Sequence, residues 1–324
     1  MQLLQKFLNK LNGLHFNQEY LCLDRSSFLK PIQAYLSIKN KGTKNITNTH
    51  LFLGYQPLVF GITEEKDTKE LPSQIELIFT HEQFRQDEIV ASNHILAYLS
   101  LSYFHSEDLE DVTIKFYCGN KGEHHFVSRF SQYIQGWVNT RYNRKEGNVF
   151  LENNLLRQVQ IAYAVPRVIS LITIGNGEIY NLFPTDLHGQ ISEQFYAISL
   201  RKGGRACEQV ETNRKVLLSE VDSMAYKAVY ALGKNHMQPM KTSKHFQFQV
   251  AVSERLRLPL ATGTMRYREL ELIESFDKGI HRIHLFKIIF KKAIRESGNT
   301  LAHIHNAYAT WRYHKGLPGN YLLR

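Results

Sequence analysis

Residues 179–211 read IYNLFPTDLHGQISEQFYAISLRKGGRACEQVE. The strand-like end IYN runs into a polar loop, LFPTDLHG. A second apolar strand, FYAISL, then stops on R-K-G-G-R, and helix-forming residues follow. Arg201, Lys202 and Arg205 crowd around Gly203 and Gly204. Paired glycines let backbone amides turn to one point, and a helix start adds partial positive charge there. Guanidinium groups grip phosphate oxygens with two parallel bonds. The bend therefore suits phosphate, and it equally suits a solvated basic turn. It is no Walker loop, because G-x-x-x-x-G-K-[ST] is absent. The loop before it offers polar edges at Asn181, Thr185 and Asp186 and apolar cover at Phe183 and Leu187. That mixture fits a flat heteroaromatic ring. It also fits a plain connection in which Pro184 sets a turn.

Outward from this stretch the second half reads as short strands: VISLITI, a GNGE turn, KVLLSEV, FQFQVAV, and RELELIESF with RIHLFKIIF around DKG. MAYKAVYALG reads as a helix ending on a Gly233 cap. Many strands and few helices predict a closed antiparallel barrel with helical decoration. The polar TRYNRKEGN marks a boundary, giving an α+β domain over 1–147 and a barrel domain over 148–324. The first half repeats the order of proline, apolar strand, glycine turn, asparagine, loop and strand, with Pro31 matching Pro166 and Asn48 matching Asn181. It reads as a degenerate second barrel or as two unrelated hairpins. Where the second copy has RKGGR the first has TEEKDTKE, which repels phosphate.

Charge is split unevenly. Residues 1–150 hold 16 Lys+Arg and 16 Asp+Glu, and residues 151–324 hold 24 and 14, so the whole excess of +10 lies in the second half. A phosphate-bearing small molecule accounts for that excess, and no zinc-finger or RNP-like pattern argues for nucleic acid. No apolar run has membrane-spanning length, and the start MQLLQKFLNKLNGL has the spacing of an amphipathic helix rather than a secretory signal. Cys22, Cys118 and Cys207 are odd in number and far apart, which fits a reducing cytoplasm and no structural metal.

PRVISLITIGNGEIYN, LFPTDLHGQISEQ, FYAISLRKGGR, ACEQVETNRKVLLSEV, GIHRIHLFKI and LAHIHNAYATWRY occur in that order over about 150 residues. In this order the chain resembles the flavin reductase-like branch of the FMN-binding split-barrel proteins. The resemblance implies a six-stranded Greek-key barrel and a homodimer with flavin at its interface, or an intrachain pseudo-dimer if the first half is a second barrel. It implies FMN, with FAD as the alternative, its phosphate near Arg201, Lys202 and Arg205 and its ring on the backbone of Thr185 to Leu187, with Ser199 among the cofactor-binding residues. It departs from the family in LFPTD, which replaces a hydroxyl-rich loop start, and in Cys207, which replaces a threonine.

The implied reaction is hydride transfer from NADH or NADPH to the flavin and onward to a small-molecule acceptor. His281 stands where the family has a histidine near the donor, or else is an ordinary strand histidine. Asp186 would oppose charge on a reduced ring, so its side chain is expected to turn away, as in an Asx turn. His303 and His305 share a strand face without further ligands for a metal, and a histidine-bound haem is a minor alternative. Tyr308, Trp311 and Tyr313 suit packing more than stacking on a ring. A flavin carrier or sensor, and a module that has lost flavin, are the rival functions.

Overall fold

The computed structural model describes residues 20–23, 30–38, 42–66, 71–85, 88, 91–142, 151–152 and 154–317. The helix expected over 3–14, the linker 143–150 and most of the closing GLPGNYLLR lie outside them.

After β1 (Tyr20–Leu23) come β2 (Gln33–Ile38), β3 (Gly42–Asn45), β4 (His50–Tyr55), β5 (Leu58–Glu65), β6 (Gln74–Thr80), β7 (Ala97–Asp108) and β8 (Val112–His124), then helices α1 (Arg129–Tyr142) and α2 (Leu155–Ala162). The second half runs β9 (Arg167–Val168), β10 (Ser170–Gly175), β11 (Ile179–Thr185), β12 (His188–Gln190), β13 (Phe195–Arg201), α3 (Arg205–Asn213), β14 (Lys215–Val221) and α4 (Tyr226–Leu232). It ends with β15 (Lys241–Thr242), β16 (Phe248–Val252), β17 (Pro259–Ala261), β18 (Thr264–Lys278), β19 (His281–Ala293), β20 (Thr300–His303) and α5 (Asn306–His314). No described helix is long and apolar enough to cross a membrane.

The first sheet has the order β3-β2-β6-β7-β8-β5-β4. The second has β11-β10-β14-β18-β19-β13-β12, with β15 added at the β11 edge. Chain order and spatial order coincide strand for strand, and every neighbouring pair is antiparallel. Even the irregularities match. Bulges interrupt β7–β8 at Ser100/Leu101 and Tyr103/His105, and β18–β19 at Glu269/Leu270 and Leu272/Glu274, each 169 positions later (269 against 100, 272 against 103). A bulge inserts one residue and bends its strand, so two hairpins bulged at equal steps bend alike. The chain thus follows one path twice. The residue matches differ from the expected ones: register places Gly42, not Asn48, at the position of Asn181, and His50 at that of His188.

The two sheets meet through equivalent faces. Val59 and Phe195, Ile114 and Ile283, and Phe116 and Leu285 occupy matched register positions and share one apolar cluster. Each patch faces its own counterpart, as in a two-fold contact. Gly189 permits the close approach, since a β-carbon there would stand 2.3 Å from Leu51 Cδ2.

Neither sheet closes among the described residues, which corrects the expectation of a closed barrel. In the second half α3 lies on the concave face, with Ala206, Cys207 and Val210 packed among Ile172, Phe183 and Ile198. A helix of roughly 10 Å diameter holds the flanking strands too far apart for the ~4.8 Å spacing of a ladder. Gly233 takes the C-cap position of α4 as expected, but it stays right-handed (φ −54°) and leads into a 3-10 turn over Gly233–Met237. The first sheet is completed by distant segments. Its core takes in Val159, Ile161 and Ala162 of α2 together with Ala302, Ile304, Ala307 and Tyr308 near β20 and α5, and β1 pairs with β20.

Candidate functional site

β13 ends on Arg201 and the chain turns. Gly203 takes φ +73°, Gly204 donates its N–H to the Arg201 carbonyl at 3.3 Å, and α3 begins at Arg205. Positive φ at the third position of such a turn favours glycine. A β-carbon on Gly203 would meet nothing within 4 Å, so this side of the bend is open. No side chain caps α3; the Cys207 and Glu208 N–H groups donate to the Gly204 carbonyl at 3.0 and 3.4 Å, and the Arg205 and Ala206 amides stand at the uncapped end. Lys202 Nζ stands 3.4 Å from Asp277, while exposed Arg205 has no ion-pair partner among the described residues.

The loop lies against this bend. Ser199 donates its N–H to the Leu187 carbonyl at 2.8 Å, and Lys202 donates to Ile280 at 2.8 Å. Arg201 is paired directly across the ladder with His281. Alternation puts Ser199 and Arg201 on the same face as Ala197, the face turned toward the first sheet. There the turn after β4 arrives. Tyr55 packs edge-on against His281, with centroids 4.5 Å apart, and Ile280 donates to the Gln56 carbonyl at 3.1 Å.

His281 is buried, and among the described residues neither Nδ1 nor Nε2 has a hydrogen-bond partner; Ser199 Oγ nearby is in the same condition. Burial first, and then the charge of Arg201, bring the His281 pKa down to about 4, against an upward pull from Asp186. The ring is therefore neutral near pH 7, with one nitrogen to donate and one to accept. Burial likewise raises the Tyr55 hydroxyl, and Asp186 adds to the rise.

Asp186 does not form the expected Asx turn. Its carboxylate accepts from His303 Nδ1 at 2.6 Å and from the Tyr163 hydroxyl at 2.9 Å. Burial works against ionisation, but the bonds from His303 and Tyr163 outweigh it and hold Asp186 below the usual carboxylate range. Tyr163 also stacks on His305 at 4.7 Å and meets the tilted ring of His303 at 4.1 Å.

The other loop side chains serve packing. Asn181 is fully buried; its amide donates to Gln209 at 2.6 Å and to the Asn235 carbonyl at 3.1 Å, and its oxygen accepts from Leu182 N–H. Phe183 lies in the core under α3, Thr185 pairs with Ser170, and Leu187 joins the core of the first sheet. The Pro184 carbonyl accepts from His236 Nε2 at 2.7 Å. The fold thus gathers Asp186, Ser199, Arg201, Lys202, Arg205 and His281 along one edge and turns Asn181 and Phe183 inward. Tyr55, Tyr163 and the Asp186 partner role of His303 have no local sequence signal. Only the strand-by-strand repeat would have pointed to Tyr55.

At the matched position in the first half, Glu65 pairs with Val112 where Arg201 pairs with His281. Cation and imidazole are replaced by an acid and an apolar side chain.

Buried neutral histidines set a pH dependence. His50 falls to about 3, and His124, His188, His281 and His284 to about 4, each chiefly through burial. Unfolded, each binds a proton near pH 6.5, so between pH 6.5 and 4 the unfolded chain holds more protons and stability falls as pH drops. Above that window these groups contribute no slope. The lowered carboxyl of Asp186 adds stability that is lost only at still lower pH. The urea midpoint is expected to be level from about pH 7 to 8 and to decline toward pH 4, less steeply in His281→Gln. A midpoint unchanged between those limits contradicts the assignment.

No protein-family model matches the chain, and no curated protein matches it. Among solved structures it is similar to the NADH:FAD oxidoreductase SgcE6 of Streptomyces globisporus C-1027, with 15% identity over 46% of this chain and 88% of that one and a TM-score of 0.40. It is similar to an FMN-binding protein from Thermus thermophilus with bound p-hydroxybenzaldehyde, with 14% identity over 44% of this chain and 87% of that one and a TM-score of 0.36. It is also similar to BorF, the flavin reductase component of a bacterial two-component tryptophan halogenase, with 14% identity over 46% and 91% and a TM-score of 0.40.

Proposed function

We propose that this chain is an FMN-binding flavoprotein acting as an NAD(P)H-dependent, flavin reductase-like oxidoreductase. One observation carries the reading: the unpartnered buried polar atoms of Ser199 and His281 lie beside an open, cationic, helix-opening bend. Buried polar atoms without partners are rare in folded proteins and point to a missing polar contact. A flavin mononucleotide has both complements, a doubly charged tail for the bend and a flat ring with polar edges for the buried strand positions. When bound, the flavin supplies the redox chemistry, accepting a hydride equivalent from NADH or NADPH and passing electrons to an acceptor.

The chain's own residues bind and position. Arg201, Arg205 and the first amides of α3 hold the phosphate. Neutral His281 contributes a hydrogen bond without adding charge. Tyr55 covers the His281 side and keeps water from it. Tyr163 and His303 fasten the Asp186 carboxylate, so its charge is compensated locally. The reading includes an intrachain pseudo-dimer, in which the first half supplies Tyr55 as a second subunit would and its own matched position, with Glu65 and Val112, binds no phosphate. Free Cys118 and Cys207 are in keeping with a cytoplasmic setting.

The carrier reading is favoured by the Asn181 and Phe183 side chains, which are spent on packing. The visible spectrum separates the readings. Yellow protein that bleaches with NADH or NADPH under nitrogen supports the reductase. Yellow protein inert to both supports a carrier. Colourless protein that takes up neither FMN nor FAD removes both.

A further inference from the structure

Successive residues of β11 point to opposite faces of the second sheet. Phe183 enters the core under α3, whereas Leu182 belongs to a separate cluster with Leu171 and Val229 of α4. Between that cluster, α4 and the segment around Phe246 lies a cavity of about 370 Å³, floored by Leu171 and Leu182 and walled by Ala228, Leu232 and Phe246. Its polar contributors are not evenly distributed. Asn235 is committed to the fold, its amide donating to the Leu182 carbonyl at 2.8 Å. What remains at the edge includes Lys234, Lys241 and His245.

The charge of this region is one-sided. From Ser223 to Ser253 the sequence has four lysines, Lys227, Lys234, Lys241 and Lys244, and no acid. Lys234 and Lys241 have no ion-pair partner among the described residues. Elsewhere in this half the described lysines commonly meet a carboxylate, as Lys287 meets Glu110 at 3.0 Å and Lys215 meets Glu271 at 3.7 Å. An apolar concavity of a size typical for small-ligand sites, rimmed by uncompensated ammonium groups, complements a molecule with an apolar body and an anionic head.

We propose that this cavity is a second binding site, on the β11 side of the second sheet and on the face away from α3, for a small amphipathic carboxylate. The apolar body lies on Leu171 and Leu182, and the carboxylate meets Lys234 and Lys241 at the mouth. The site is independent of the flavin reading, because none of its residues belongs to the bend or contacts His281.

The probe is sodium decanoate, with decanol as the neutral counterpart of equal length, titrated calorimetrically into the full chain as purified. Decanoate is expected to bind one per chain and at least about tenfold more tightly than decanol. Lys234→Glu combined with Lys241→Glu should erase that preference while decanol binding changes little. Ala228→Trp, which fills the cavity, should abolish binding of both, and FMN uptake should stay as in the parent in either variant. If Ala228→Trp does not fold, the double lysine variant decides alone. Absence of decanoate binding, equal binding of decanoate and decanol, or decanoate binding untouched by the lysine changes overturns the proposal.

Discussion

Arg201→Ala combined with Arg205→Ala is expected to weaken FMN binding by about two orders of magnitude, while riboflavin binding changes little. Each charge-assisted hydrogen bond to phosphate is worth roughly 1.5–3 kcal/mol, and about 1.4 kcal/mol is tenfold in affinity. Riboflavin has the same ring and lacks the phosphate, so only the contacts of the bend separate the two ligands. Both side chains are exposed, so the folded state should survive the changes. Fluorescence quenching titrations with the two ligands read the ratio directly. Parallel losses would place the phosphate elsewhere and detach the bend from the site.

Gly279→Val is expected to destabilise the chain by about 3 kcal/mol or more, through strain and overpacking together. Gly279 lies at φ +59° in the β18–β19 turn, and a β-carbon there would fall 2.0 Å from the Gln56 carbonyl oxygen and 2.3 Å from Pro57 Cδ. The obstacle is backbone, so no side-chain rotation relieves it. The turn after β4 must withdraw, and Tyr55 leaves His281 with it. Gly177→Val isolates the docking contribution. Gly177 also has positive φ, at +100°, but a β-carbon would meet nothing within 4 Å. It should therefore incur the strain of the backbone alone, on the order of 1–3 kcal/mol. Urea denaturation of both variants gives the comparison, and equal midpoints would show that the contact at Gln56 contributes nothing.

Much of the second sheet is legible from local pattern. VISLITI, FYAISL, KVLLSEV and the two long strands around DKG form where their apolar runs and turn residues place them. LAHIHNAYATWRY gives no helical signal because α5 is buried almost all round: Ala307, Tyr308, Ala309, Thr310 and Arg312 are all inside, so no polar face reveals a helical period. Tyr308 bonds to His81 and Trp311 stacks on it, so both aromatics serve packing there. The repeat is visible as an order of features but not as residue matches. Strand register, which proline and asparagine do not mark, decides which positions correspond. The bend at 201–205 is readable because glycine and charge act over five neighbouring residues. Tyr55 meets His281 and His303 meets Asp186 over separations of more than a hundred residues, and Tyr163 reaches Asp186 from the end of α2, 23 positions earlier; nothing near them in the sequence announces these meetings.

The dependence of the first sheet on α5 has a consequence for biosynthesis. The apolar cluster inside α3 draws only on residues between Ile172 and Ile288, so the later half can mature on its own residues. The earlier half waits for Ala302 to Ala309, which a ribosome delivers some two hundred positions after Leu99 has emerged. Translation order and order of completion are therefore reversed, and a nascent chain stalled before residue 300 should present to chaperones a first sheet covered on that side by α2 but open where Ala302 to Ala309 belong.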